Sequence, residues 1–390
     1  MSQTTLRLIL LVSAAHALVH ILELALPGVE QQIATDYGFD KDTSSWLAFA
    51  WRFPWGVFAI AAGWLTDRFG AERTLALYLI GCAVLCGVVG CYVQLPVLFV
   101  TMALMGTLAS IYHPAGLALI SHEVAPHDRA RALGIHGVFG SIGIGGAPLL
   151  AAIVLGAGFS WRTYYWLLGL LCCIVGLAFC ARVRRSPDHD ADVQPHPEHP
   201  DDATAQWGSF AIICFYSFIA GFAYAAMMSF LPRYLGESGL HLSFIPQKST
   251  SAFLAGGVLL VGCVGQYSAG RFARPATMER QLAVISLIAA APLSWMAIAT
   301  GSGRVVAAAL YALVMFMLQP IYNTLVAKYT PAGRRSLCYG LTFAIGLGMG
   351  SCGAVFMGYS SSDLMAYGTL SALAVLQSGI GWVLWIRHRP

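Results

Sequence analysis

The chain has 390 residues, of which 58% are hydrophobic and only 10% charged, whereas soluble globular domains carry about 25% charged residues. That bias excludes a large soluble core and implies a polytopic membrane protein embedded in a lipid bilayer. The net charge of +4 is small and comes from basic loops, so it gives no reason to expect nucleic acid as a partner.

Twelve apolar segments of spanning length are expected, each near the twenty or so residues that a membrane helix needs. The first covers about 8–28. It lacks a small-residue cleavage site and reads as a span, not as a removed signal peptide. It carries His16, His20 and Glu23, whose spacings of four and three place them on one helical face. The second segment, 44–66, carries Arg52. A short charged turn follows, Gly63-Trp64-Leu65-Thr66-Asp67-Arg68-Phe69-Gly70-Ala71-Glu72-Arg73, which makes a tight hairpin with segment three, 74–93. Segment four, 97–121, contains His113-Pro114. Segment five, 131–157, contains His136 and then Gly140, Gly143, Gly145, Gly146 and Pro148. Segment six is 162–181.

Residues 182–207 form the one long hydrophilic stretch. It opens with Arg182, Arg184 and Arg185 and is rich in proline and acids. Such a composition cannot build a packed core and reads as a disordered linker. Its His189, His196 and His199 are read as solvated linker residues, with metal ligation the lesser alternative. Six more segments follow: 208–235, 251–270, 281–300, 304–327, 336–359 and 364–386. Segment ten offers Gln319, Tyr322 and Asn323, and no buried charge is evident in this half. The expected organisation is an N-terminal six-helix bundle (1–181), a cytoplasmic linker (182–207) and a C-terminal six-helix bundle (208–390), all α.

With both termini cytoplasmic, sixteen Lys and Arg residues lie on the cytoplasmic side and five on the other, with Arg52 inside a span. The positive-inside rule selects that orientation. The halves also repeat. An offset of 206 takes His113-Pro114 to Gln319-Pro320, Arg129 to Arg335, Gly134 to Gly340 and Gly140 to Gly346. An offset of 202 takes Gly63 to Gly265, ahead of Arg271 and Arg274.

The order Gly63-x-x-x-Asp67-Arg68-x-Gly70-x-x-Arg73 resembles the loop between helices 2 and 3 of the major facilitator superfamily of transporters. The resemblance, with the twelve spans and the repeat, covers nearly the whole chain. It implies two parallel six-helix repeats that rock around a central site, working as a monomer. It also implies a gating role for this loop: Asp67 at a helix N-terminus, with the arginines pairing across to a neighbouring helix and locking the outward-facing state. The Gly140–Pro148 stretch loosely resembles the fifth-helix motif of antiporters in that superfamily, although Ala147 replaces the glycine before the proline. More weakly, His16, His20, Arg52 and His113-Pro114 resemble the fosmidomycin-resistance efflux branch. Glu23 departs from it, since an aspartate four residues after the histidine is the expected pattern.

Ionisable residues inside spans are costly and mark function. Glu23 and Arg52, placed about five and eight residues from the outer ends of their helices, are expected to pair. His16, His20, His113 and His136 are expected to continue a polar track, and histidine titrates near neutral pH. The bland alternative is neutral histidines that merely bridge helices. Metal ligation by His16, His20 and Glu23 is a minor alternative, so no metal site and no cofactor are expected. The ten cysteines contain no Cys-x-x-Cys pair and read as small buried hydrophobes. Phe139, Tyr224, Trp295 and Tyr322 are candidate cavity aromatics.

The sequence therefore reads as a proton-coupled efflux transporter for a small polar or anionic compound in a bacterial inner membrane. Proton-coupled uptake of an organic acid is the alternative; metal ion transport and a non-transporting membrane sensor are weaker ones. No Gly-x-Ser-x-Gly and no His-Glu-x-x-His occurs, and no enzyme is expected.

Overall fold

The computed structural model describes residues 2–91, 94–185, 205–331 and 334–388. The expected linker falls largely on residues outside these, including His189, His196 and His199. Among the described residues there are helices and no strands, arranged as twelve rods. α1 runs Gln3–Glu23 and continues as Ala25–Tyr37; α2 runs Lys41–Val57 and continues as Ala59–Phe69. α3 is Ala71–Gly90, α4 is Leu95–Ala109 continuing as Tyr112–Glu123, α5 is Pro126–Gly156 and α6 is Trp161–Arg185. α7 is Trp207–Gly236, α8 Gln247–Phe272, α9 Met278–Met296 and α10 Ser302–Tyr329. α11 comprises Arg335–Phe343, a wide turn at Ala344–Gly348, a tight turn at Met349–Ser351 and Cys352–Tyr359; α12 is Asp363–Arg387.

Ten of the twelve are long and apolar enough to cross a membrane, which corrects the expectation that every segment qualifies. α2 is split at Phe58 and carries Arg52 at its centre. α9 has 19 residues and opens with Met278-Glu279-Arg280. Packing replaces what these two lack in hydropathy: α2 lies between α4 and α11, and α9 between α10 and α12. The outer surface is apolar, with Val84, Val100, Ile153, Leu170 and Ile298 exposed, as a lipid-facing surface requires.

Two of the breaks have a proline cause. Proline cannot donate to the carbonyl four residues back, and its ring crowds that carbonyl. Pro27 therefore strands the carbonyl of Glu23, and α1 breaks at Leu24 (φ −102°, ψ 9°). Pro114 does the same to Ser110, between the two pieces of α4. Past its break α1 continues thirteen residues to Tyr37. Glu23 thus lies near the middle of the rod and not close to its outer end, which corrects the expected depth. Arg52 is likewise deeper, since α2 starts at Lys41.

The linker end of the bundle carries both chain termini; the other end is called the far end. The first six and last six rods meet along three seams. On one, Gly56 of α2 abuts Gly348 of α11. On the repeat-related seam, a Cβ at Gly145 of α5 would meet the Leu260 side chain of α8 at 2.6 Å, while Gly256 of α8 faces Leu149. The third joins α1 to α7 and is polar. The glycine-rich part of α11 is more than a packing face: Gly346 and Gly350 lie against Gly221 of α7, and the helix there widens and then tightens.

The Gly140–Pro148 stretch divides in two. A Cβ on Gly143 would run into the backbone of Ala17 on α1, whereas one on Gly146 would meet nothing within 4 Å. Gly143→Ala should therefore destabilise by about 1–3 kcal/mol through overpacking. Gly146→Ala should be neutral or stabilising by up to about 1 kcal/mol through helix propensity. Thermal unfolding of the two variants in detergent tests this, and equal effects would remove the distinction.

Candidate functional site

A cavity of about 270 Å³ lies between the two sets of six rods. Among the described residues, none of its lining side chains is Asp, Glu, Lys or Arg. His16, His20, His113 and His136 form its polar wall on the first six rods, and Gln319, Tyr322, Asn323, Gln266 and Gln377 the wall opposite. His113 and Gln319, which correspond in the repeat, face the same space. Of the candidate aromatics, Tyr224 and Tyr322 line it. Trp295 is 41% exposed elsewhere, and Phe139 is not a lining residue.

Behind this wall sits a buried charge pair. Arg52 Nη1 donates to Glu23 Oε1 at 2.8 Å, both side chains being nearly inaccessible. Glu23 Oε2 accepts from His20 Nδ1 at 2.8 Å, and Oε1 also accepts from the Tyr224 hydroxyl at 2.8 Å. The carboxylate thus gathers donors from α1, α2 and α7. The Arg52 guanidinium also lies 5.4 Å from the Tyr224 ring centroid, a cation–π arrangement. The i, i+3 spacing that puts His20 beside Glu23 was legible in the sequence. The reach of Tyr224, across 201 positions, was not.

The histidine rings pack together, His16 and His136 face to face and the others tilted or edge-on. The His16 and His136 centroids are 3.9 Å apart, and His16–His20 and His16–His113 are 5.0 and 5.7 Å. His16 Nδ1 lies 2.8 Å from the His136 carbonyl oxygen, and His136 Nε2 lies 2.8 Å from the Tyr112 hydroxyl. Among the described residues, no three His, Cys, Asp or Glu side chains are grouped to hold a metal ion.

The far end is shut by contacts between the two sets of rods. Glu30 of α1 accepts from Arg233 of α7, Nη2 at 2.7 Å and Nε at 3.2 Å, and from the Ser44 hydroxyl. The Lys41 ammonium sits 5.3 Å from the Phe230 ring centroid, and Trp46 Nε1 donates to the Tyr359 hydroxyl at 3.2 Å. Sequence reasoning missed the pair because it placed Glu30 beyond the first span and counted Arg233 only among the basic residues of the outer side. The cavity lining instead extends to Leu117, Gln266, Asn323 and Thr342, all in the linker-end portions of their rods. The conformation is therefore closed at the far end, with its cavity reaching towards the linker end.

The charged turn departs from expectation. Gly70 makes it, with φ 85°, a conformation that favours glycine. Asp67 lies in the last turn of α2 and not at a helix N-terminus. Asp67 and Arg68 are exposed, Arg68 resting beside the Phe69 ring, and Arg73 is exposed on the first turn of α3. Gly63 makes an ordinary contact with Pro114. The last six rods do hold a buried charge, contrary to expectation. Glu279 is 2% exposed and accepts from Lys328 Nζ at 2.6 Å and from the Tyr329 hydroxyl at 2.7 Å. It opens α9, just ahead of the expected segment.

The family model described as Major Facilitator Superfamily matches residues 12–355. A puromycin resistance protein of Streptomyces alboniger is 30% identical over 145 residues, 36% of this chain and 27% of that protein. A tetracenomycin C resistance and export protein of Streptomyces glaucescens is 25% identical over 173 residues, 43% of this chain and 31% of that protein. These matches span only about a third or less of the relatives' length. Among solved structures, a bacterial homologue of the human lysosomal transporter Spinster, captured inward-facing and unoccupied, is similar with TM-score 0.74 and 14% identity. That likeness covers 98% of this chain and 97% of the other. A peptide transporter in complex with sulfate is similar with TM-score 0.76 and 13% identity, over 98% and 94%. At these identities the likeness establishes the fold.

Removing one partner of a buried ion pair leaves the other charge stranded, at a cost of about 3–5 kcal/mol. Arg52→Met should therefore destabilise the protein strongly, and adding Glu23→Gln should restore most of the loss. Thermal unfolding of both singles and the double measures this coupling. Additive losses would mean that the pair is not the buried unit.

Proposed function

The chain belongs to the Major Facilitator Superfamily of transporters, and we propose that it is a secondary active transporter that exports a small polar compound in exchange for protons. The supporting observation is the four-group network of Glu23, Arg52, His20 and Tyr224. It places a carboxylate inside a low-dielectric bundle, at the wall of the cavity, with a hydrogen bond to each set of six rods. Neutralising Glu23 would weaken its hold on Arg52 and on Tyr224 together. A proton would then loosen a contact between the two sets, as alternating access by rocking bundles requires. The clustered histidines His16, His20, His113 and His136 extend the network along the cavity wall.

The linker end is read as cytoplasmic from the excess of Lys and Arg there, in a plasma membrane of bacterial inner-membrane type. The far-end-closed conformation is then the one that takes cargo from the cytoplasm. The named relatives include resistance and export proteins, which supports outward transport. The Glu30–Arg233 pair holds this conformation. The exposed Asp67 and Arg68 are free to engage α11 when the linker end closes.

Two measurements test this. Inside-out vesicles carrying the protein and an acid interior should release protons when a transported compound is added, from a panel that includes fosmidomycin and puromycin. Glu23→Gln should abolish the release. Proton movement in the opposite sense on adding a compound would replace export with uptake. Separately, Asp67→Asn should cut the transport rate severalfold while leaving thermal unfolding unchanged. An unaltered rate would remove the turn from gating.

A further inference from the structure

We infer that the cavity is a hydrogen-bond-acceptor site, in which His16, His20 and His136 each present a lone-pair nitrogen, so that the cargo is a compound bearing N–H donors. This rests on the reading of the cavity as the transport site and names the class of cargo that site takes.

The inference follows from where each imidazole proton must lie. A neutral imidazole has one N–H and one acceptor nitrogen, and the partner of one nitrogen decides the role of the other. His16 Nδ1 faces a backbone carbonyl oxygen at 2.8 Å. A carbonyl only accepts, so Nδ1 carries the hydrogen and Nε2 is the acceptor. His20 Nδ1 faces Glu23 Oε2 at 2.8 Å. That carboxylate is held by Arg52 and Tyr224, so Nδ1 again carries the hydrogen. His136 Nε2 faces the Tyr112 hydroxyl at 2.8 Å, and that hydroxyl already donates its single hydrogen to the Val12 carbonyl at 2.9 Å. His136 must therefore donate from Nε2, which leaves Nδ1 as the acceptor. Tyr112 is thus a positioning residue: it contacts no cargo and sets the tautomer of a histidine that does.

All three rings line the cavity, and their remaining nitrogens have no protein partner among the described residues. The charges nearest them do not change the outcome. Glu23 and Arg52 neutralise each other. His113 on α4, together with Tyr224 on α7 and Tyr311 and Tyr322 on α10, adds neutral polar groups to the same space. An anion would find no free cation among the described lining residues, whereas an ammonium, amidinium or guanidinium group meets several lone pairs at once. A proton bound at any of these nitrogens turns an acceptor into a donor and adds a repelling charge, so protons and such a cargo compete for the same atoms.

The test is nitrogen-15 NMR of histidine-labelled full-length protein in lipid nanodiscs at a pH where the rings are neutral. His16 and His20 should show the Nδ1–H tautomer and His136 the Nε2–H tautomer. Millimolar guanidinium should move the signals of His16 Nε2, His20 Nε2 and His136 Nδ1, while tetramethylammonium, of equal charge without N–H groups, should not. Tyr112→Phe should give a mixed His136 tautomer and a guanidinium response there about tenfold weaker, the size of one lost hydrogen bond. Nε2–H tautomers at His16 and His20, equal responses to the two cations, or a response to nitrate alone would each overturn the inference. The wild-type spectrum decides the tautomers even if the variant fails to fold. Because no transport is measured, proton-coupled export and this site can fail independently.

Discussion

The buried pair of Glu23 and Arg52 constrains everything around it. Two opposite charges at the centre of an apolar bundle attract strongly but have lost their water, and the attraction offsets that loss only if further donors satisfy the carboxylate. Here His20 and Tyr224 do so. The position of the pair is itself set by backbone chemistry. Pro27 ends the first piece of α1 at Glu23, so the rod can change direction where its side chain meets α2 and α7. Because Arg52 is paired with Glu23, its charge is withdrawn from the cavity, whose described lining is polar without Asp, Glu, Lys or Arg.

The two sets of rods meet through two kinds of contact. Along the α2–α11 and α5–α8 seams glycines bring backbones and side chains close. Strong contacts are kept for α1 against α7, where Glu23–Tyr224 lies at mid-depth and Glu30–Arg233 at the far end. The two carboxylates lie on either side of the break in α1 at Leu24, Glu23 ending the first piece and Glu30 in the second. The irregular stretch of α11, a wide turn followed by a tight one, lies beside both α2 and α7.

Much of the fold was legible because it depends on composition and period. Apolar runs, the offset of 206 and the spacing of His16, His20 and Glu23 all survive as geometry. Depth was misread, since α1 runs through its proline break to Tyr37, well past the apolar run. Asp67 was misread because a motif gives the order of residues but not their place in a helix, and the structure puts Asp67 in the last turn of α2. Tyr112, Tyr224 and the Glu30–Arg233 pair were invisible for a different reason. Each acts through a partner from 24 to 203 positions away, and no local pattern marks an ordinary tyrosine as the one that orients a histidine.

The orientation of the histidines sets what the cavity wall offers to a ligand. A cavity wall of neutral imidazoles is ambiguous by residue type, because each ring both donates and accepts. The ambiguity is removed from behind, by a carbonyl at His136, a carboxylate at Glu23 and a hydroxyl already committed to Val12. In the proposed site, selectivity for donors would be a property of the groups behind the rings, held by the helices. A proton and a donor-bearing cargo would compete there for one set of lone pairs, while Glu23 remains the group whose neutralisation would loosen the contact between the two sets of rods.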